Sequence, residues 1–124
     1  MAKTLTDRES DIMQVLWDRG PCRVSDVRRN LGDPLAHNTV LTMLGILEEK
    51  GFVRREADGR GHRYFALVRE KAARQNAVRH LVRKFFRGSS ELLFTHLVSE
   101  QRLSPAQAKR LRQLLQELTD EERL

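Results

Sequence analysis

With 124 residues, 40% of them hydrophobic and 32% charged, the chain has the composition of an ordinary soluble protein of one or two small domains, not of a disordered or fibrous one. Its apolar runs, such as Ile12-Met13 and Val40-Leu41, are far too short to cross a bilayer. The amino terminus lacks the apolar core of a signal peptide, and the one cysteine, Cys22, has no internal disulfide partner, so a cytoplasmic protein without membrane insertion is expected. The net charge of +6 draws such a chain toward polyanions, because each neutralised phosphate releases counterions.

The first predicted helix starts at Thr6, which can cap it while Glu9 bonds back three residues on. Ile12, Met13, Leu16 and Trp17 follow at helical spacing, and Gly20-Pro21 ends the element. A shorter helix is predicted from Val24 to Leu31, with Val24, Val27 and Leu31 inward and Gly32-Asp33-Pro34 as its breaker. The third spans about Ala36 to Lys50. Its inward stripe is Val40, Met43, Leu44 and Leu47, and Gly51 follows as its C-terminal cap.

Beyond Gly51 the period changes. Phe52, Val53 and Arg54, then Tyr64, Phe65, Ala66 and Leu67, flank Asp58-Gly59-Arg60-Gly61. They predict a β-hairpin around a four-residue turn that leaves the register open. A fourth helix is expected from about Glu70 to Phe86, carrying Ala73, Val78, Leu81, Val82, Phe85 and Phe86. Gly88 stops it. A fifth starts at Ser89 or Ser90, and a sixth at the capping box Ser104-Pro105-Ala106-Gln107. Cations crowd the stretch from Arg69 to Arg87, whereas Asp120, Glu121 and Glu122 reverse the sign at the tail.

The fold class implied is mostly α (α+β). An N-terminal winged helix-turn-helix of residues 1–68, with a β-hairpin wing, precedes a three-helix region of residues 69–124. A short helix turning tightly into a longer one is the geometry that sets the second helix in a major groove. The inward stripe leaves Asn38, Thr39, Leu41, Thr42, Gly45 and Glu49 outward or sideways on the third helix. Asn pairs bidentately with adenine, Thr bonds to bases or phosphates, and Leu or Thr methyls meet thymine methyls. The first-turn amides add an anion site. On the hairpin, Arg60, His62 and Arg63, backed by Arg54 and Arg55, suit a phosphate ridge or a minor groove. The same unit also serves protein–protein contact, and the elements alone leave that alternative open.

The last three helices carry more apolar surface than they can bury by themselves. Leu92, Leu93, Leu97, Leu111, Leu114, Leu115 and Leu118 are therefore expected at a homodimer interface, which would pair two reading heads with a palindromic operator in double-stranded DNA. Enzyme chemistry is not expected. His37, His62, His80 and His96 scatter over different elements, and Cys22 lacks a partner at any diagnostic spacing, so neither a catalytic set nor a metal site assembles and no cofactor is implied.

The order and spacing of several segments resemble the penicillinase-repressor family, the BlaI- and MecI-like regulators with copper-responsive cousins. The segments are Leu5-Thr6-Asp7-Arg8-Glu9 through Trp17, Leu35-Ala36-His37-Asn38-Thr39-Val40-Leu41-Thr42-Met43-Leu44, Leu47 to Val53, the wing Gly59-Arg60-Gly61-His62-Arg63-Tyr64, and Phe86-Arg87-Gly88-Ser89 with Leu103-Ser104. The resemblance implies a dimeric repressor whose winged helix reads an inverted repeat through Asn38, Thr39, Thr42 and the wing. It also implies, for several members, a membrane sensor-protease that releases DNA by cleaving the dimerisation region. Here His96-Leu97 stands where those members have Asn-Phe, and the tail lacks the cysteine cluster of the copper-responsive cousins. Arg23 replaces the usual Thr cap of the second helix, a loss of about 1 kcal/mol, and Ile46 replaces an Arg late in the third.

Overall fold

The computed structural model describes residues 4–123, with side chains through Leu118. Met1 to Lys3 and the acidic side chains of Asp120, Glu121 and Glu122 lie outside the described residues. The elements run α1 (Asp7–Arg19), β1 (Cys22–Arg23), α2 (Val24–Arg29), α3 (His37–Glu49), β2 (Val53–Asp58), β3 (Gly61–Ala66), α4 (Glu70–Phe85), α5 (Ser90–Glu100) and α6 (Pro105–Arg123). They divide into two units, residues 1–73 and 74–124.

In the first unit α1 opens with the expected capping box. Thr6 Oγ1 accepts from the Glu9 amide at 3.3 Å, and Glu9 Oε1 accepts from the Thr6 amide at 2.8 Å. Gly20, at φ 81°, closes the helix. The second helix is shorter than expected, ending at Arg29 instead of Leu31, although Val27 is fully buried and Val24 and Leu31 pack against the core. Arg23 offers α2 no acceptor. Asp26 supplies the reciprocal half of the cap, its carboxylate accepting from the Arg23 amide at 3.0 Å.

The third helix ends in a Schellman motif. Phe52 N–H reaches Leu47 C=O at 2.9 Å and Gly51 N–H reaches Glu48 C=O at 3.1 Å, with Gly51 at φ 85°. Val40, Leu44 and Leu47 are completely buried and Met43 packs beside them. Each such aliphatic side chain contributes roughly 1.5–3 kcal/mol through its removal from water.

The sheet has three antiparallel strands in the order β1-β3-β2. The hairpin pairs Asp58 with Gly61, so the four-residue turn Asp58 to Gly61 closes on a two-residue loop, Gly59-Arg60, and this fixes the register that the sequence leaves open. Gly59 takes φ 65° and Arg60 does not share the positive sign, the pattern of a turn with glycine at its first central position. The third strand, β1, had no signature in the sequence. Cys22 and Arg23 pair with Tyr64 and Arg63, placing Tyr64 and Cys22 over the helical core, where both are buried. Trp17 also packs on this core and donates its indole N–H to Val68 C=O at 2.9 Å.

One polar pair is built into the unit. Glu9 is almost wholly buried, and its Oε1 takes Lys50 Nζ at 2.7 Å, tying the start of α1 to the end of α3. Lys50 also donates to Thr4 C=O at 3.2 Å. Burial by itself would raise the Glu9 pKa, but the hydrogen bonds from Lys50 and Thr6 and the Lys50 charge outweigh it and hold the carboxyl below its ordinary value.

The second unit packs Val82, Leu93, Phe94 and Leu115 at its centre, with Val78, Phe86, Leu97, Val98, Ala108 and Leu111 around them. Ser89 caps α5, accepting from the Leu92 amide at 3.2 Å. Ser104 and Gln107 form the expected capping box on α6 at 2.9 and 3.1 Å. No helix among the described residues is long and apolar enough to cross a membrane.

Candidate nucleic-acid interface

The face of α3 opposite its buried stripe is open. Asn38, Thr39, Leu41, Thr42, Gly45, Ile46 and Glu49 are all exposed. Ala36, the cap residue, gives the helix no side-chain acceptor, so its first-turn amides remain free for an anion. An added methyl at Gly45 would meet nothing within 4 Å, so no packing among the described residues requires glycine there.

Alternation along β3 separates the wing residues. His62 shares the Tyr64 side of the strand, whereas Arg63 lies on the other side with Phe65. His62 therefore lines a cleft of about 350 Å³ together with His37 and Leu41 from α3, Arg23 at the start of α2, and Gly61. Arg60 projects from the hairpin tip, exposed and without an ion-pair partner among the described residues. The other cations are engaged. Arg54 pairs with Glu56 and lies over the Phe65 ring at 4.1 Å, and Arg55 reaches Glu48 at 3.6 Å. Arg63 Nε donates to Asp58 at 3.3 Å. Arg60, His62 and Arg63, grouped in the sequence, separate in space: His62 comes to α3, Arg60 stays at the tip and Arg63 is bound to an acid.

Cys22 takes no part in this surface. Its thiol is buried and donates to Gly20 C=O at 3.3 Å. Burial, helped by the nearby Asp26 carboxylate, pushes its pKa up against the opposing Arg19 and Arg63, so the reactive thiolate is disfavoured. Among the described residues no three His, Cys, Asp or Glu side chains gather as a metal-holding group.

In the second unit the seven leucines expected at a dimer interface separate by burial. Leu93 and Leu115 turn into the unit's own core, Leu97 and Leu111 pack partly against it, and Leu118 is half-buried. Leu118 also accepts from Arg79 Nε through its C=O at 3.1 Å. Leu92 and Leu114 are exposed. Leu81 and Phe85, expected on α4 as apolar residues but not at an interface, form with Ala77 an exposed stripe, with Phe85 75% accessible. Its i, i+4, i+8 spacing was readable; the inward stripe Val78-Val82-Phe86, one residue on, masked it.

The sequence profile of the penicillinase repressor family matches residues 5–117. The chain belongs to the penicillinase repressor family. Among the relatives of this penicillinase repressor family member is an uncharacterized 16.5 kDa protein of the ptsI 3′ region in Latilactobacillus sakei, 28% identical over 90% of this chain and 77% of that protein. Another is the methicillin resistance regulatory protein MecI of Staphylococcus aureus strain N315, 21% identical over 90% of this chain and 92% of MecI. The solution structure of the Bacillus licheniformis BlaI monomeric form in complex with the blaP half-operator superposes with a TM-score of 0.50 at 24% identity. It covers 58% of this chain and 90% of that one, and bears out the winged-helix fold.

Proposed function

We propose that this protein is a DNA-binding transcriptional repressor that acts as a homodimer on an inverted-repeat operator and leaves it in response to a signal. The observation that carries this reading is the two-sidedness of α3. Its apolar stripe is locked in the core while Asn38, Thr39, Leu41 and Thr42 stand exposed beside a cationic hairpin tip. A helix so held can enter a major groove, where Asn38 and Thr42 reach base edges and Arg60, His62 and Arg63 lie near the flanking backbone. Membership of a repressor family supports the reading, as does the likeness to BlaI, a protein solved on its half-operator.

In this reading residues 1–68 read DNA and residues 69–124 dimerise. Leu92 and Leu114, together with Leu81 and Phe85, are the apolar groups left for a partner, and Leu97, Leu111 and Leu118 border them. Leu93 and Leu115 support the interface from within. His96-Leu97 at the place of the scissile pair argues against release by the same proteolytic cut, and a sensor-protease partner would need another site.

The test is Thr42→Ala, measured on the operator and on random duplex. Loss of a base contact weakens operator binding by roughly 1–3 kcal/mol and leaves random duplex nearly unchanged. Equal losses on both duplexes would refute base reading by α3.

A further inference from the structure

Arg23 and Arg63 are register partners on β1 and β3, and like charges directly opposite one another destabilise a sheet. One carboxylate oxygen resolves the conflict. Asp58 Oδ2 accepts from Arg23 Nη1 at 3.1 Å and from Arg63 Nε at 3.3 Å. Gly61, opposite Asp58 in the hairpin, makes room for this. A Cβ there would lie 2.7 Å from Arg23 Nη2, so the guanidinium rests directly on the glycine backbone. The three charged side chains are 39% (Arg23), 37% (Asp58) and 49% (Arg63) exposed, and an outside anion can reach them. Arg23 also lines the cleft that holds His37 and Leu41 of α3 and His62 of the wing. It thus stands on the face proposed for DNA.

We propose that Arg23 is a further DNA-backbone ligand held in reserve by Asp58, whose carboxylate stands in for a phosphate until duplex DNA enters the cleft and a backbone phosphate takes its place. The exchange swaps one charge-assisted hydrogen bond for another of the same geometry. It leaves Asp58 facing the DNA, so the acid weakens binding to any duplex, whatever its sequence. The inference rests on the DNA-binding reading of this face.

The experiment titrates a random-sequence duplex by fluorescence anisotropy from about 50 to 200 mM salt, using the full chain as wild type, Asp58→Asn, Arg23→Gln and the double variant. Melting curves on all four confirm folding, and Arg63→Gln in the Asp58→Asn background separates the two arginines. Asp58→Asn is expected to tighten binding about two- to fivefold, the worth of one exposed charge pair, and to steepen the logarithmic salt slope by about 0.9. Arg23→Gln is expected to abolish both gains in the Asp58→Asn background and, alone, to weaken binding less than it does there, because Asp58 already offsets part of the phosphate contact. A gain that survives Arg23→Gln, or an Asp58→Asn variant with unchanged affinity and slope, overturns the exchange. A wild-type chain that binds no duplex overturns the DNA reading beneath it.

Discussion

At Gly45 the stability of α3 and the proposed DNA contact pull in opposite directions. It sits mid-helix on the exposed side of α3, with open space where a Cβ would be. Glycine in a helix interior costs about 1 kcal/mol against alanine. Nothing among the described residues offsets that cost, and in the proposed reading glycine lets the helix backbone come close to DNA. Gly45→Ala is expected to stabilise the first unit by about 1 kcal/mol in denaturant unfolding and to weaken operator binding in the same preparation. A variant that is more stable and binds equally well would show that α3 does not lie close at this point. Such single positions were legible in the sequence where the signal is local. The Thr6–Glu9 and Ser104–Gln107 caps, the αL glycine after α3 and the outward Asn38 and Thr42 all follow from spacing of a few residues. Arg23 was not, because its meaning depends on Asp58, thirty-five residues away.

Elements are joined where the sequence is silent. α1 and α3 are pinned by Glu9 and Lys50, forty-one residues apart, and neither residue type announces burial. Removing one partner of a buried pair strands the other charge, at a cost of about 3 kcal/mol. Glu9→Gln is therefore expected to lower the unfolding free energy by about that amount at neutral pH, and pairing it with Lys50→Met should recover part of the loss. Because the folded-state pKa of Glu9 is depressed, its contribution is fully present above the ordinary carboxylate range and fades as pH falls through the folded-state value. Urea unfolding across acidic pH checks this: wild type and Glu9→Gln should converge as the solution is acidified, and parallel curves would contradict the pairing. The same scale explains the missed strand. Two residues, Cys22 and Arg23, show no alternation, and β1 exists only because β3 offers an edge. The helices and hairpin, by contrast, announced themselves through periods of 3.6 and 2.

At the scale of the whole molecule, the exposed apolar surface of the second unit is what a partner would cover. Periodicity marks leucines on α5 and α6 without telling which turn inward. Adjacent pairs Leu92-Leu93 and Leu114-Leu115 are each split, one residue buried and its neighbour exposed, and only the packing of the three helices decides. Leu114→Asp touches the exposed member and spares the core. It is expected to convert a dimer to monomers in sedimentation while leaving the melting of the first unit unaltered; a dimer that persists would move the interface to another face, such as the Leu81–Phe85 stripe.

Everything proposed for this protein requires that the exposed side of α3 read duplex DNA. Selection of the wild-type chain against a pool of randomised duplexes tests it most directly. Enrichment is expected of an inverted repeat whose half-sites are separated by about one helical turn or a multiple of it. A pool that stays random through successive rounds would contradict it.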